Sequence, residues 1–189
     1  MKYFIDTEFL EGTQDKTIFG IKYGVTKPVI DLISIGIVNE NGDEYYAISK
    51  DFNLKEAWNR YDLVINKHYP AGSAYNKVYW FRENVLKQIW HDLFKIHGKY
   101  SNKWKSEYAW DEMKDREKYV YLKLLLLKYG KTKKQIAEEI KSFVINSTYP
   151  MAETLLQKAF INMGKVNPEF YGYYSAYDWV VFCGLFDKM

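Results

Sequence analysis

Residues 29–50 constrain the fold most strongly, because they predict two antiparallel strands joined by a tight turn. Residues 29–39 read VIDLISIGIVN, a run of β-branched and apolar residues that is typical of a buried central strand. The dipeptide Asn41-Gly42 favours a hairpin turn, and EYYAISK then resumes a strand-like pattern. The opening run KYFIDT, at residues 2–7, predicts a further strand, which we expect to lie beside this hairpin.

Beyond Asp51 the pattern changes from strands to helices. Apolar residues at helical spacing predict four helices, at residues 54–69 (ending before Pro70), 76–97, 112–128 and 131–147, the last capped by Thr132. Residues 99–118 mix acids, bases and Trp without a period, which predicts an exposed loop. Near the other end, EFYGYY predicts a strand and AYDWVVFCGLF predicts the helix that follows it.

This order of elements indicates an α/β fold, in which a mixed sheet is flanked by helices. No repeat, low-complexity tract or linker divides the chain. We therefore expect a single domain over residues 1–189, with a helical and loop insertion around residues 98–131.

The composition excludes several classes of protein. Cys183 is the one cysteine, so the chain can form neither an internal disulfide nor a cysteine-based zinc site, and a reducing cytoplasmic setting is expected. The most apolar run, YVYLKLLLLKYG, is shorter than the roughly 20 residues of a membrane-spanning helix, and we expect no membrane association. A net charge of +3 is compatible with nucleic-acid binding but does not indicate it.

Two acids, Asp6 and Glu8, stand where the first predicted strand should finish. Because residues i and i+2 of a strand project from the same face, the two carboxylates would lie side by side and repel each other. A divalent cation would relieve this repulsion, and oxygen ligands favour Mg²⁺ or Mn²⁺. An Asp-x-Glu pair is also expected about once by chance in a chain of this length, so two solvated acids at a strand end are an alternative.

A third acid, Asp178, falls where the last predicted strand gives way to the last predicted helix. Ligands of open α/β folds usually bind at such junctions, at the rim of the sheet. We therefore expect Asp178 to join Asp6 and Glu8 in one metal site. The alternative is an acid in the first turn of a helix, where the helix dipole favours negative charge.

Five short blocks of the sequence carry a resemblance to a known family: FIDTEF, DLISIGIV, EYYAIS, FRENVL and AYDWVVFCGLF. In this order they resemble the RNase T-like DEDD superfamily of 3′-5′ exonucleases, and within it the small bacterial and phage exoribonucleases whose first motif reads DTEF. The resemblance covers most of the chain, with poor matches at residues 51–76 and 98–131.

The resemblance implies an RNase H-like fold that hydrolyses phosphodiester bonds from the 3′ end of RNA, with single-stranded DNA as a possible second substrate. Asp6 and Glu8 would match the first motif and Asp178 the second, and together they would bind two ions of Mg²⁺ or Mn²⁺ in a two-metal mechanism. Thr7 and Phe9 would then contact the substrate, the Phe9 ring by stacking on a base. A core position for Phe9 is the alternative.

The resemblance breaks at the family's third motif, a His or Tyr followed four or five residues later by an Asp. None of the 3 histidines has an Asp at that spacing. Tyr174 stands four residues before Asp178, but the second motif already uses that Asp, and the given sequence ends at Met189. We therefore expect a C-terminal segment to be missing, or its groups to come from a C-terminal partner segment or a second copy of the chain. A nucleic-acid-binding module of the same fold without turnover, or one part of a two-chain nuclease, is the alternative.

Overall fold

A computed structural model describes residues 1–19, 21–65, 75–97, 109–148, 167–173 and 175–186. The chain divides into two compact units. The sheet unit comprises Met1–Thr13, Lys27–Phe52 and Gly130–Met189, and the helical unit comprises Gln14–Thr26 and Asn53–Tyr129. The single domain that the sequence suggests stays a prediction.

The described strands are β1 Lys2–Gly12, β2 Asp15–Ile18, β3 Ile21–Val25, β4 Val29–Asn39, β5 Glu44–Ile48, β6 Asp62–Ile65, β7 Tyr75–Val78 and β8 Glu169–Gly172. The described α-helices are α1 Leu54–Asn59, α2 Lys87–His97, α3 Ala109–Glu112, α4 Asp115–Tyr129, α5 Lys133–Thr148 and α6 Ser175–Gly184. A single π-helical turn, Arg82–Leu86, leads into α2.

The sheet unit is built on a mixed sheet of order β5-β4-β1-β8. β1 and β5 pair antiparallel with β4, whereas β8 runs parallel to β1. The predicted hairpin of β4 and β5 is confirmed, and Gly42 in its turn has φ of 87°, a left-handed conformation that glycine adopts without strain. Oδ1 of Asn39 accepts hydrogen bonds from the backbone N–H groups of Asn41 and Asp43, which fixes the turn.

One face of this sheet packs against α5 and α6, as their apolar spacing predicts. The buried cluster contains residues of β1, β4, β5, α5 and α6, and Leu185 directly after α6: Tyr3, Ile5, Leu32, Ile35, Ile37, Ala47, Ile136, Ala137, Ile140, Val181, Phe182 and Leu185. α5 begins as expected, because the Thr132 hydroxyl accepts a hydrogen bond from the Gln135 N–H. The α/β class, a mixed sheet with flanking helices, is therefore confirmed.

The helical unit has a core of tryptophans. The Trp110 ring lies 6.0 Å from that of Trp58 and 5.9 Å from that of Trp90, centroid to centroid. Arg82, in the π-helical turn, is 7% exposed and donates from Nε and Nη2 to the Trp58 carbonyl. Nη1 donates to Oδ2 of Asp115, so each of the three guanidinium nitrogens has a hydrogen-bond partner.

Two predictions in the helical unit need correction. The helix predicted at residues 54–69 ends at Asn59, because the Arg60 backbone is extended at φ −66° and ψ 130°. The segment Asp62–Ile65 (DLVI) pairs instead as a strand with Tyr75–Val78, which also removes the first residues of the helix predicted at 76–97. Residues 66–74 lie outside the described residues. β-branched residues in a short run explain this preference for strand pairing.

The loop predicted at residues 99–118 is also partly wrong. Helices α3 and α4 begin within it, and Trp110 is fully buried. The Trp110 indole therefore belongs to the core of the helical unit. Residues 98–108 lie outside the described residues. Among the residues that are described, no helix has the length and apolar character to cross a membrane.

Candidate active site

The two acids of β1 lie on the exposed face of the sheet. From Tyr3 to Glu8 the odd-numbered residues are buried and the even-numbered residues are exposed, so Asp6 and Glu8 project from the same face. Asp6 lies opposite Gly36 of β4, which has no side chain to cover it. The ladder shifts register between Glu8 and Phe9, so the bulge ends the regular alternation directly after the second acid.

Asp178 lies in the first turn of α6, and its carboxylate meets β1 between the two acids. Oδ1 of Asp178 accepts hydrogen bonds from the Thr7 N–H, at 3.2 Å, and from the Thr7 hydroxyl, at 2.6 Å. β8 pairs with β1 only as far as Ile5, opposite Gly172, so the carboxylate bonds an N–H of β1 that lies beyond this pairing. The structure therefore brings Asp178 to the residue that separates Asp6 from Glu8.

The negative charges of Asp6 and Asp178 both act on the Glu8 carboxyl. Partial removal from water, together with the negative charges of Asp6 and Asp178, raises the pKa of Glu8 above its ordinary value of 4.5. The charge of Asp178 therefore acts on Glu8, although Asp178 is hydrogen-bonded to Thr7, whose side chain projects from the opposite face of β1. A bound cation would relieve this repulsion, since it favours the ionised form of all three carboxylates.

The donor set suits a hard divalent cation in kind, since it consists of carboxylate oxygens alone. Among the residues that the structure describes, however, no group of three or more His, Cys, Asp or Glu side chains lies in an arrangement that could hold a metal ion. Asp6 and Glu8 are exposed, so rotation of their side chains is not opposed by core packing. Metal binding by Asp6, Glu8 and Asp178 stays a prediction.

The two predicted substrate-binding residues, Thr7 and Phe9, both contact other residues of the sheet unit. Thr7 is 7% exposed, and its hydroxyl donates to Asp178. Phe9 packs against the buried cluster of the sheet unit, and its ring stacks on Tyr177 with centroids 5.5 Å apart and planes 12° apart. Contact of either residue with a substrate stays a prediction.

An exposed aromatic surface beside Asp6 was missed in the sequence. Phe4 and Tyr171, on neighbouring strands, stack with centroids 5.6 Å apart, and both rings are more than two-fifths exposed. Tyr46, opposite Gly36, is 45% exposed. Phe4, Tyr46 and Asp6 line one groove of about 380 Å³. The alternation along β1 was a usable signal, because it puts Phe4 on the same face as Asp6.

A second groove, of about 220 Å³, reaches Asp178 from the edge of the sheet. Tyr171, Gly172 and Trp179 line it, and the Trp179 side chain is about half exposed. Asp178 therefore borders this groove, although only 4% of its surface is exposed.

Two curated proteins of Mycobacterium tuberculosis are similar to this chain, and both are named 3′-5′ exoribonuclease, one from strain ATCC 25618 / H37Rv and one from strain CDC 1551 / Oshkosh. Each is 36% identical over 100 residues, which cover 52% of this chain and 48% of the relative. The chain spans about half the length of the curated relatives it matches. No family model matches it. Over about half of its length, the chain is thus similar to proteins named 3′-5′ exoribonuclease.

Proposed function

We propose that this protein is a metal-dependent 3′-5′ exonuclease of the DEDD type with an RNase H-like fold. Its substrate would be RNA, shortened from the 3′ end, with single-stranded DNA as a second substrate. The observation that carries the proposal is the contact of Asp178 with Thr7, because it brings the third acid to the strand segment that holds Asp6 and Glu8. The similarity to proteins named 3′-5′ exoribonuclease supports the same activity.

The proposed ligands are Asp6 and Glu8 on the exposed face of β1 and Asp178 at its edge. Mg²⁺ or Mn²⁺ would supply Lewis acidity at the phosphate and lower the pKa of the attacking water. The chain's own contribution would be to orient oxygen ligands from two elements, β1 and α6. Both hydrogen bonds from Thr7 fall on Oδ1 of Asp178, so Oδ2 would be the oxygen offered to the ion.

The exposed rings beside Asp6 would receive the bases of the substrate. Phe4, Tyr46 and Tyr171 present flat apolar surfaces on the same face as the acids. Stacking on such rings accepts any base, as degradation of a strand regardless of sequence requires.

Digestion of a labelled oligonucleotide tests the proposal. A single-stranded RNA with a 5′ label should lose one nucleotide at a time from its 3′ end in Mn²⁺ and should stay intact in EDTA. Asp6→Asn should abolish the shortening. The control is Glu138→Gln, which changes an exposed carboxylate of α5 that pairs with Lys141. Shortening by Asp6→Asn at the rate of the unmodified protein would contradict the proposal, and a DNA arm measures the second substrate.

A second candidate is a nucleic-acid-binding module of the same fold, without turnover, or one part of a two-chain nuclease. It is favoured because no group of three or more His, Cys, Asp or Glu side chains that could hold a metal ion is found among the described residues. This candidate predicts that the protein binds the RNA in Mn²⁺, measured by fluorescence anisotropy, and leaves it intact over hours.

A further inference from the structure

Thr7 makes both of the hydrogen bonds that the described residues give to the Asp178 carboxylate. Its backbone N–H and its hydroxyl converge on the same oxygen, Oδ1, at 3.2 and 2.6 Å. Both residues are buried, with Thr7 at 7% and Asp178 at 4% exposure. Two donors on one oxygen fix the carboxylate both in position and in the rotation of its plane, and leave Oδ2 without either bond.

The hydrogen bond to Asp178 explains why a threonine occupies position 7. The neighbouring positions on the same face, Tyr3 and Ile5, pack in the core, and a buried position in a strand ordinarily takes an apolar side chain. A buried hydroxyl costs free energy unless it is hydrogen-bonded. Asp178 supplies the acceptor for the Thr7 hydroxyl, and a bond to a carboxylate is shorter and stronger than one between neutral groups.

The hydroxyl also points away from the exposed acids. Because neighbouring residues of a strand project from opposite faces, Thr7 faces the helices while Asp6 and Glu8 face the solvent. The Thr7 side chain is therefore placed to act on Asp178 and not on a substrate lying over the exposed face.

We propose that Thr7 is a positioning residue, which holds the Asp178 carboxylate with Oδ2 directed at the divalent cation. This inference rests on the proposed function, because it requires Asp178 to be a metal ligand. The partners of metal ligands orient them, and their removal typically weakens metal binding by about 10- to 100-fold. Thr7 itself would contact neither the cation nor the RNA.

Calorimetric titration of the full chain with Mn²⁺, in the absence of RNA, tests this role. Thr7→Val keeps the shape of the side chain and removes the hydroxyl, and we expect it to weaken Mn²⁺ affinity about 10- to 100-fold. Thr7→Ser keeps the hydroxyl and should restore the affinity to within about threefold of the unmodified protein. The matched control is Thr148→Val, which removes a hydroxyl hydrogen-bonded to Tyr3 in the same unit and should leave the affinity unchanged.

The rise in melting temperature on adding Mn²⁺ is the second readout, and Thr7→Ala is a second variant without the hydroxyl in case valine does not fold. Equal Mn²⁺ affinity in the unmodified protein and in the variant without the hydroxyl would overturn the role of Thr7 and leave the proposed function standing. Failure of the unmodified protein both to bind Mn²⁺ and to shorten RNA would overturn the proposed function, and the role of Thr7 with it.

Discussion

The Thr7 hydroxyl donates a 2.6 Å hydrogen bond to Oδ1 of Asp178, across 171 positions of the chain. This bond joins the first strand to α6, and it lies between two further acids of that strand. Asp178 therefore belongs to the same region of the molecule as Asp6 and Glu8, and the field of its charge contributes to the raised pKa of Glu8. This arrangement, and the packing around it, have measurable consequences.

Replacement of Glu8 by Gln should stabilise the protein when no metal is bound. The folded state raises the pKa of Glu8, so it holds the proton more tightly than the unfolded state does. Stability therefore falls as pH rises from the ordinary value of 4.5 through the raised value, and the loss persists above it. Because Glu8 is solvent-exposed, we expect a gain of at most about 1 kcal/mol for Glu8→Gln near neutral pH.

The melting temperatures of the unmodified protein and of Glu8→Gln in EDTA measure this stabilisation. The difference between the two melting temperatures should vanish at a pH below the ordinary pKa of the Glu8 carboxyl. Saturating Mn²⁺ should reverse the order, because a ligand that binds only the folded state stabilises it in proportion to its affinity. A Glu8→Gln protein that is less stable than the unmodified one in EDTA at neutral pH would show that favourable contacts of the Glu8 carboxylate outweigh the repulsion among the acids.

Phe4 should contribute to RNA binding more than to stability. Its ring is 48% exposed on the face of the acids, so Phe4→Ala removes little buried surface. Loss of one stacked base costs about 1–3 kcal/mol, which corresponds to a dissociation constant weakened roughly 5- to 150-fold. Fluorescence anisotropy with a labelled RNA in Ca²⁺ measures the affinity. An unchanged affinity of Phe4→Ala for the RNA would show that the bases stack on another surface.

Phe9 should show the opposite behaviour. It packs on the buried cluster and stacks on Tyr177, so Phe9→Ala should lower the free energy of unfolding by about 2 kcal/mol, less than for a fully buried ring. A double-mutant cycle with Tyr177→Ala should give a coupling of about 0.5–1.5 kcal/mol. Urea denaturation measures both quantities. A stable Phe9→Ala protein with strongly weakened RNA binding would instead support the substrate contact suggested by the family resemblance.

Arg82 should be needed for the stability of the helical unit. Its guanidinium lies 4.3 Å from the Trp58 ring centroid and 4.1 Å from that of Tyr79, and it also bonds the Trp58 carbonyl. Arg82→Lys keeps the charge but cannot reproduce the planar contacts, so we expect a loss of at least about 2 kcal/mol. Thermal unfolding measures it.

The matched control for Arg82 is Asp115→Asn. The Asp115 carboxylate pairs with Nη1 of Arg82 at 2.7 Å, but its side chain is 67% exposed. Removal of its charge should therefore cost no more than about 1 kcal/mol. Similar losses for Arg82→Lys and Asp115→Asn would show that the ion pair, and not the stacked and carbonyl contacts, stabilises this turn.

The sheet of the sheet unit could be predicted because its residues follow clear local rules. Val29–Asn39 is a β-branched run followed by Asn41-Gly42, and both the strand and its turn are found where the sequence suggests. The helix at the other end begins at Ser175, where apolar residues resume after the EFYG strand. In these segments the local preference and the tertiary packing agree.

The helical unit was harder to predict, because its short strands depend on partners elsewhere in the chain. Asp62–Ile65 continues the apolar pattern of α1, and only its pairing with Tyr75–Val78 distinguishes a strand from a helix there. The hairpin of Asp15–Ile18 and Ile21–Val25 was not predicted, since its residues are mostly exposed and give no period of buried positions.

The candidate site was predictable in its acids and not in their partners. The spacing of Asp6 and Glu8 implies a shared face, and the strand-to-helix junction marks Asp178. The role of Thr7 depends on which face of β1 meets α6, and a sequence of alternating residues does not specify that. The hydrogen bond from the Thr7 hydroxyl to Asp178 was therefore not predicted. The substrate contact of Thr7 that the family resemblance implies stays a prediction.

Anomalous diffraction from crystals of the full chain soaked in Mn²⁺ tests the central claim most directly. We predict a manganese peak about 2.1 Å from carboxylate oxygens of Asp6, Glu8 and Asp178, with the exposed Asp6 and Glu8 side chains rotated toward the ion. The claim would be contradicted by manganese bound elsewhere, or by no anomalous density beside these three carboxylates at a saturating concentration of Mn²⁺.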